Sequence, residues 1–232
     1  MLRHRRLAAA LAIAALAAAA PMTTASAAAP ATARPASPPQ VLTLFALGGP
    51  AVPSGHTLSD TLQGTLTLLD FSSGLGLQCT TSSWQGQVAV NPTNPSPAVI
   101  TLLPSLFTIS GCTDSTPGVT AVTSVTVTGL PDTLMIFGST YLAQIQAPGG
   151  PLIITATLVT GSTSTVCTYQ AIPGTNGTIA PGSGPMTFSN QAFHQVTPPA
   201  VCGTTTTQVA LFSATYSPLI DNSAGGANVY VN

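Results

Sequence analysis

The sequence predicts an all-β fold made of antiparallel β-sandwich or barrel units, and three observations predict it. Short runs rich in Val, Ile, Leu and Thr recur between clusters of Gly, Pro, Asn and Ser. Several of these runs alternate in character at every second residue, and no segment beyond residue 27 carries a helical apolar stripe. Short strands at close spacing, separated by turn residues, are the pattern of closed or double-layered antiparallel sheets.

In chain order the strand runs are QVLTLFAL (40–47), GTLTLLDF (64–71), GQVAV (86–90), AVITLL (98–103), VTAVTSVTVTG (119–129) and TLMIFG (133–138). The second half adds PLIITATLV (151–159), STVCTYQ (164–170), PMTFSN (185–190), TTQVALFSATY (206–216) and NVYVN (228–232). Val119, Ala121, Thr123, Val125 and Val127 occupy alternate positions, which predicts a strand with that face buried.

Aligned on cysteine, the two halves resemble each other. CTTSSWQG (79–86) matches CTYQAIPG (167–174), with Cys, Thr and a Gly seven residues on. Thr101 and Phe107 precede Cys112 at the same mutual spacing at which Thr187 and Phe193 precede Cys202, and Val119 and Val209 each follow that cysteine by seven. The preserved order predicts an internal duplication, with β repeats over 40–131 and 132–232.

The N-terminus reads as an export signal over residues 1–27. Arg3, Arg5 and Arg6 precede an apolar run from Leu7 to Ala20, and Ala25-Ser26-Ala27 supplies a small-residue cleavage site. The apolar run is too short to cross a bilayer as a helix, which takes about 20 residues. Residues 28–39, AAPATARPASPP, read as a Pro/Ala-rich linker. Cleavage leaves Arg34 as the single cation against five aspartates, a net charge of about −4, with no Lys or Glu. A chain so poor in cations neither neutralises nucleic-acid phosphates nor is drawn to anionic lipid. Strands without charged gatekeepers invite pairing with a second copy.

Four cysteines in an exported chain predict two disulfides, with three connectivities open. If the halves are duplicates, Cys79 pairs with Cys112 and Cys167 with Cys202, and each loop contributes roughly 3 to 4 kcal/mol by restricting the unfolded chain. No CxxC pair and no His at ligand spacing points to a metal, and no cofactor is expected.

No catalytic residues are predicted. His56 and His194 are the bases available after cleavage, and neither accompanies a serine in a nucleophile elbow. Ser54-Gly55-His56 with Asp60 reads as a turn. Asp114 in CTDSTPG and Asp132 in LPDT read as turn aspartates capping their own backbone. Asp221-Asn222-Ser223 makes a weak calcium site, and Asn176-Gly177 reads as a tight turn. Trp84, Tyr169 and His194 are the candidate ligand contacts, with Tyr141 and Tyr216 as further stacking surfaces.

The Arg-plus-Ala signal ending in ASA, the Lys-free Thr/Ala/Gly/Pro body and the ending FSATYSPLIDNSAGGANVYVN resemble secreted β-rich proteins of high-GC actinobacteria. That resemblance implies an extracellular or cell-envelope setting and carries no activity with it. The expectation is a secreted, non-enzymatic structural or adhesive protein that associates with itself or the envelope. An extracellular glycan- or protein-binding module is the alternative, ahead of a hydrolase with an unfamiliar site.

Overall fold

The structure, a computed structural model, describes residues 38–146, 148, 150–196, 200–202 and 209–232. The expected signal peptide (1–27) and all but residues 38 and 39 of the expected linker therefore lie outside the described residues. Ser37–Asn232 form one compact unit, so the two halves of the chain share a single body.

The fold is all-β, with 64% of residues in strands and no α-helix among the described residues. The strands of the first half are β1 (Leu42–Leu44), β2 (Thr57–Asp70), β3 (Gly76–Val90), β4 (Ala98–Leu102), β5 (Thr108–Asp114) and β6 (Val119–Thr128). Those of the second are β7 (Thr133–Phe137), β8 (Leu142–Gln146), β9 (Ile153–Thr160), β10 (Thr163–Ala171), β11 (Thr175–Ile179), β12 (Pro185–Gln195), β13 (Val209–Pro218), β14 (Ile220–Asp221) and β15 (Ala227–Val231).

Eight of them close an antiparallel barrel in the order β2-β3-β4-β7-β8-β11-β12-β13 and back to β2. Closure removes the sheet edges that would otherwise stand open. The outer strands extend from it. β5 adds to β3, while β10, β9 and β6 continue from the far end of β12. β14, β15 and β1 run from the start of β2. β5 and β6 lie side by side without sharing a hydrogen-bonded ladder.

The long strands β2 and β12 pair with both barrel and outer strands, and each carries a bulge. The register shifts between Thr61 and Leu66 of β2 against β3, between Gln63 and Thr67 of β2 against β13, and between Phe188 and Gln191 of β12 against β13. A bulge bends and over-twists its strand, so the two ends of each strand point into different parts of the sheet. The β12 bulge is built on Asn190, whose left-handed φ of 50° an asparagine tolerates better than most residues. The Asn190 N–H donates to Ser213 Oγ (2.9 Å), which ties this bulge to β13.

Trp84, Leu134, Met186, Phe188 and Tyr216 meet inside the barrel and leave a void of only about 20 Å³. Phe188 packs edge-on against Tyr216 (centroids 6.4 Å apart) and tilts against Phe212 at 6.3 Å, and Phe193 follows at 5.4 Å from Phe212. Such aromatic pairs stabilise by about 0.5–1.5 kcal/mol each beyond their buried area.

Disulfides join Cys79 to Cys112 and Cys167 to Cys202, and no described cysteine is free. Cys79 and Cys112 stand directly opposite each other across β3 and β5. Cys167 lies on β10 and reaches the 3-10 turn Ala200–Cys202.

Two sequence readings of local structure are corrected. Asn176-Gly177 is not a turn but the middle of strand β11, and Gly177 is there for space: a Cβ on it would stand 2.9 Å from the Phe188 ring. On β6 the inward face is not the simple alternate set. Bulges between Val119 and Ala121 and between Val122 and Ser124 re-phase the strand, so Val119, Val122, Val125 and Val127 are half-buried while Ala121 and Thr123 are exposed.

Candidate functional site

The candidate contact residues do not gather into one place. Trp84 (3% exposed) lies on β3 inside the barrel, opposite Asp60 of β2. Tyr169 (2% exposed) is equally buried, and its hydroxyl donates to the Cys202 carbonyl at 3.0 Å. Both are core residues, because their alternate positions on β3 and β10 fall on the inward face. Tyr216 is also core, with its hydroxyl 3.1 Å from Ser82 Oγ. His194 alone of the three named contacts faces solvent, on β12 opposite Gln170 of β10.

His56 is positioned by a partner that its sequence neighbourhood did not suggest. Its Nδ1 lies 2.7 Å from Asp221 Oδ2, across 165 residues of chain, while Asp60 points elsewhere. Asp221 is fully buried, and its other oxygen accepts from the Ala224 N–H at 3.1 Å. The pair fastens the short β14 strand and its turn to the beginning of β2. With its oxygens so engaged, Asp221 is a structural carboxylate. Among the described residues no group of three His, Cys, Asp or Glu is placed to hold a metal ion.

The five aspartates hold the least expected feature of the molecule. Asp60, Asp70, Asp132 and Asp221 are all buried, and Asp114 is half-buried. Burial of a carboxylate is costly unless hydrogen bonds or a counter-charge compensate it, and the five are compensated to very different degrees. Burial acts to raise the Asp70 pKa, but two hydroxyls and two N–H groups from Ser72 and Ser73 converge on Oδ1 and outweigh it. The group is held below its ordinary value. Asp114 accepts from the Thr116 N–H at 2.7 Å, a turn cap of the expected kind.

Asp60 is only half satisfied. Oδ1 accepts from Ser217 Oγ (2.6 Å) and the Thr61 N–H (2.8 Å), whereas Oδ2 has no partner. Burial therefore wins over these bonds and pushes the carboxyl up to about 7. Asp132 has neither oxygen partnered, so it does not cap its own turn as its LPDT context suggests. Its backbone is engaged instead, through the Leu102 N–H donating to its carbonyl, and burial raises its carboxyl to about 6.

Compared with family models, with curated proteins and with solved structures, the chain matches none. Fold and chemistry must then be read from this chain's own residues.

Asp132 stands immediately before β7, at one mouth of the closed barrel, and contributes to the wall of a cleft of about 370 Å³. The end of β8, the start of β11, the end of β10 and the segment before β9 complete that wall. Ile145, Leu152 and Thr175 line both the cleft and the packed interior beneath it, so its floor is the top of the core. Sequence reasoning missed this place because the cleft assembles residues from four separate segments spread over 132–175. The one available signal was an aspartate in an apolar setting, with GLP before it and TLMIF after it, which a turn also explains.

A second surface feature is a shallow groove of about 280 Å³ between Ile109–Cys112 of β5 and Val122–Val125 of β6. No helix among the described residues is long and apolar enough to cross a membrane.

Proposed function

We propose that this is a secreted structural or adhesive protein, exported by the signal over residues 1–27, which acts through its uncharged β surface by associating with copies of itself or with the cell envelope. The observation that carries this reading is the disposal of charge. Four of the five carboxylates are buried, Asp114 is half-buried, and no Lys, Arg or Glu occurs among the described residues. The surface is largely threonine, serine, asparagine and glutamine, together with exposed apolar residues that include Phe45, Leu47, Phe71, Val90, Val166 and Val196. Surface charge of one sign keeps protein molecules apart, and here almost none is left to do so.

The ten residues of β6 are free of charge and are laddered on one edge only, to β9. Lysine and proline on such a strand normally oppose pairing with another chain. The two disulfides suit an oxidising, extracytoplasmic setting. The reading of two repeats, 40–131 and 132–232, is supported by reciprocal pairing: β6 of the first half joins β9 of the second, and β13 of the second joins β2 of the first.

Sedimentation velocity over a hundredfold concentration range tests this, combined with pelleting on isolated cell walls. Association that persists in high salt is expected, because the surface of the described residues carries almost no charge to be screened. A monomer at every concentration that also fails to pellet would overturn the reading.

A further inference from the structure

We propose that the cleft beside Asp132 binds a small aliphatic primary ammonium ion, its charged head on the Asp132 carboxylate and its alkyl body against Ile145, Leu152 and Ile172. The inference goes beyond the adhesive reading and does not depend on it. Three observations carry it. The Asp132 side chain has no exposed surface, and both of its oxygens lack a hydrogen-bond partner. The same residue forms part of the wall of a cleft of about 370 Å³, large enough for a small organic molecule. Finally, the four basic residues of the sequence are Arg3, Arg5, Arg6 and Arg34, so no lysine or arginine among the described residues is there to neutralise it.

A buried carboxylate seeks an opposite charge together with several donors. A sugar hydroxyl would supply donors but leave the charge in place. An ammonium head supplies three donors and the counter-charge at once. The remaining wall selects the body of the ligand: Leu152 is buried, Ile172 is 43% exposed, and Pro151 and Pro173 add further aliphatic surface with no aromatic ring on which a sugar could stack. The rim of the cleft carries little side-chain bulk. Gly150 (φ +126°) and Gly174 (φ +88°) stand on that rim, and a Cβ at Gly150 would meet nothing within 4 Å.

The test is a titration of the disulfide-intact exported chain at pH 7.5 with n-butylammonium chloride, n-butanol and methyl glucoside. It is followed by calorimetry and by the carboxyl ¹³C resonance of Asp132. Saturable binding of butylammonium that moves this resonance is expected, with butanol and Asp132→Asn each weaker by at least roughly tenfold, as loss of a charged hydrogen bond implies. An unmoved Asp132 resonance overturns the proposal without recourse to any variant. So does equal binding of butanol, and a shift produced by methyl glucoside instead would assign the cleft to hydroxyl recognition.

Discussion

Asp60 keeps its proton into the neutral range because Ser217 and Thr61 satisfy one oxygen and nothing satisfies the other. Asparagine at this position retains an accepting oxygen for both donors and replaces the unpartnered, ionisable one. Asp60→Asn is therefore expected to raise the melting temperature at pH 8, where the wild-type carboxylate must ionise in place, and to change it little at pH 5. Thermal melts at the two pH values check this; equal effects at both would show that the site does not titrate. His56→Ala has the opposite sign. It strips Asp221 of one of its two partners while leaving it fully buried, at a cost of about 1–3 kcal/mol in chemical denaturation. Gly177→Ala tests the close approach of the Phe188 ring. Overpacking of this kind costs roughly 1–3 kcal/mol, which lowers the melting temperature of a domain this size by several degrees. At this scale the sequence identified Asp114 as a turn cap but misread Asp132, because both stand in turn-like surroundings and only the folded chain shows which side chain finds a donor.

Among the elements, β5 depends most on a covalent bond. It is laddered to β3 alone, and Cys79 and Cys112 face each other across that ladder. Removing this pair as Cys79→Ser/Cys112→Ser is expected to cost roughly 3 to 4 kcal/mol for a loop of 33 residues. It should also accelerate amide exchange over Thr108–Asp114 and the neighbouring β6 far more than in the barrel strands. Uniform acceleration across the barrel would show that β5 has no separate stability. The eleven runs read from the sequence each overlap a strand, most of them rich in Val, Ile, Leu or Thr. β5, β8, β11 and the two-residue β14 were missed, and β3 was seen only at its end. Their residues, such as TISGCTD and TNGTI, are polar or Gly-containing, and they are held in strands by two-sided pairing or, in β5, by the disulfide rather than by propensity.

For the whole molecule, the raised carboxyls set how stability varies with pH. Asp60 at about 7 and Asp132 at about 6 bind protons more tightly folded than unfolded, where the ordinary value is 3.8. Their stabilising contribution is complete below that value and is lost as pH rises through about 6 to 7. Asp70 acts in the other direction, since its depressed value contributes stability that disappears on acidification through its folded pKa. Two raised groups against one lowered predict a melting temperature that falls between pH 4.5 and pH 8, the reverse of ordinary acid denaturation. Melts recorded across that window by circular dichroism decide the matter; a curve rising with pH would contradict the burial assigned to Asp60 and Asp132.

By itself the sequence determined the class of this protein: β strands from period and residue type, two disulfides from an even cysteine count, and a chain nearly free of cations from composition. Those properties are local or additive, so no knowledge of neighbours is needed to read them. Only the tertiary structure decided that strands from both halves close one barrel, that Trp84 and Tyr169 are buried, and that His56 meets Asp221. It also decided that Asp132 is left unpartnered at a cleft. Register, bulges and closure act between residues distant in sequence, and a single shifted position turns a strand's faces over, so these outcomes exist only once the strands have paired.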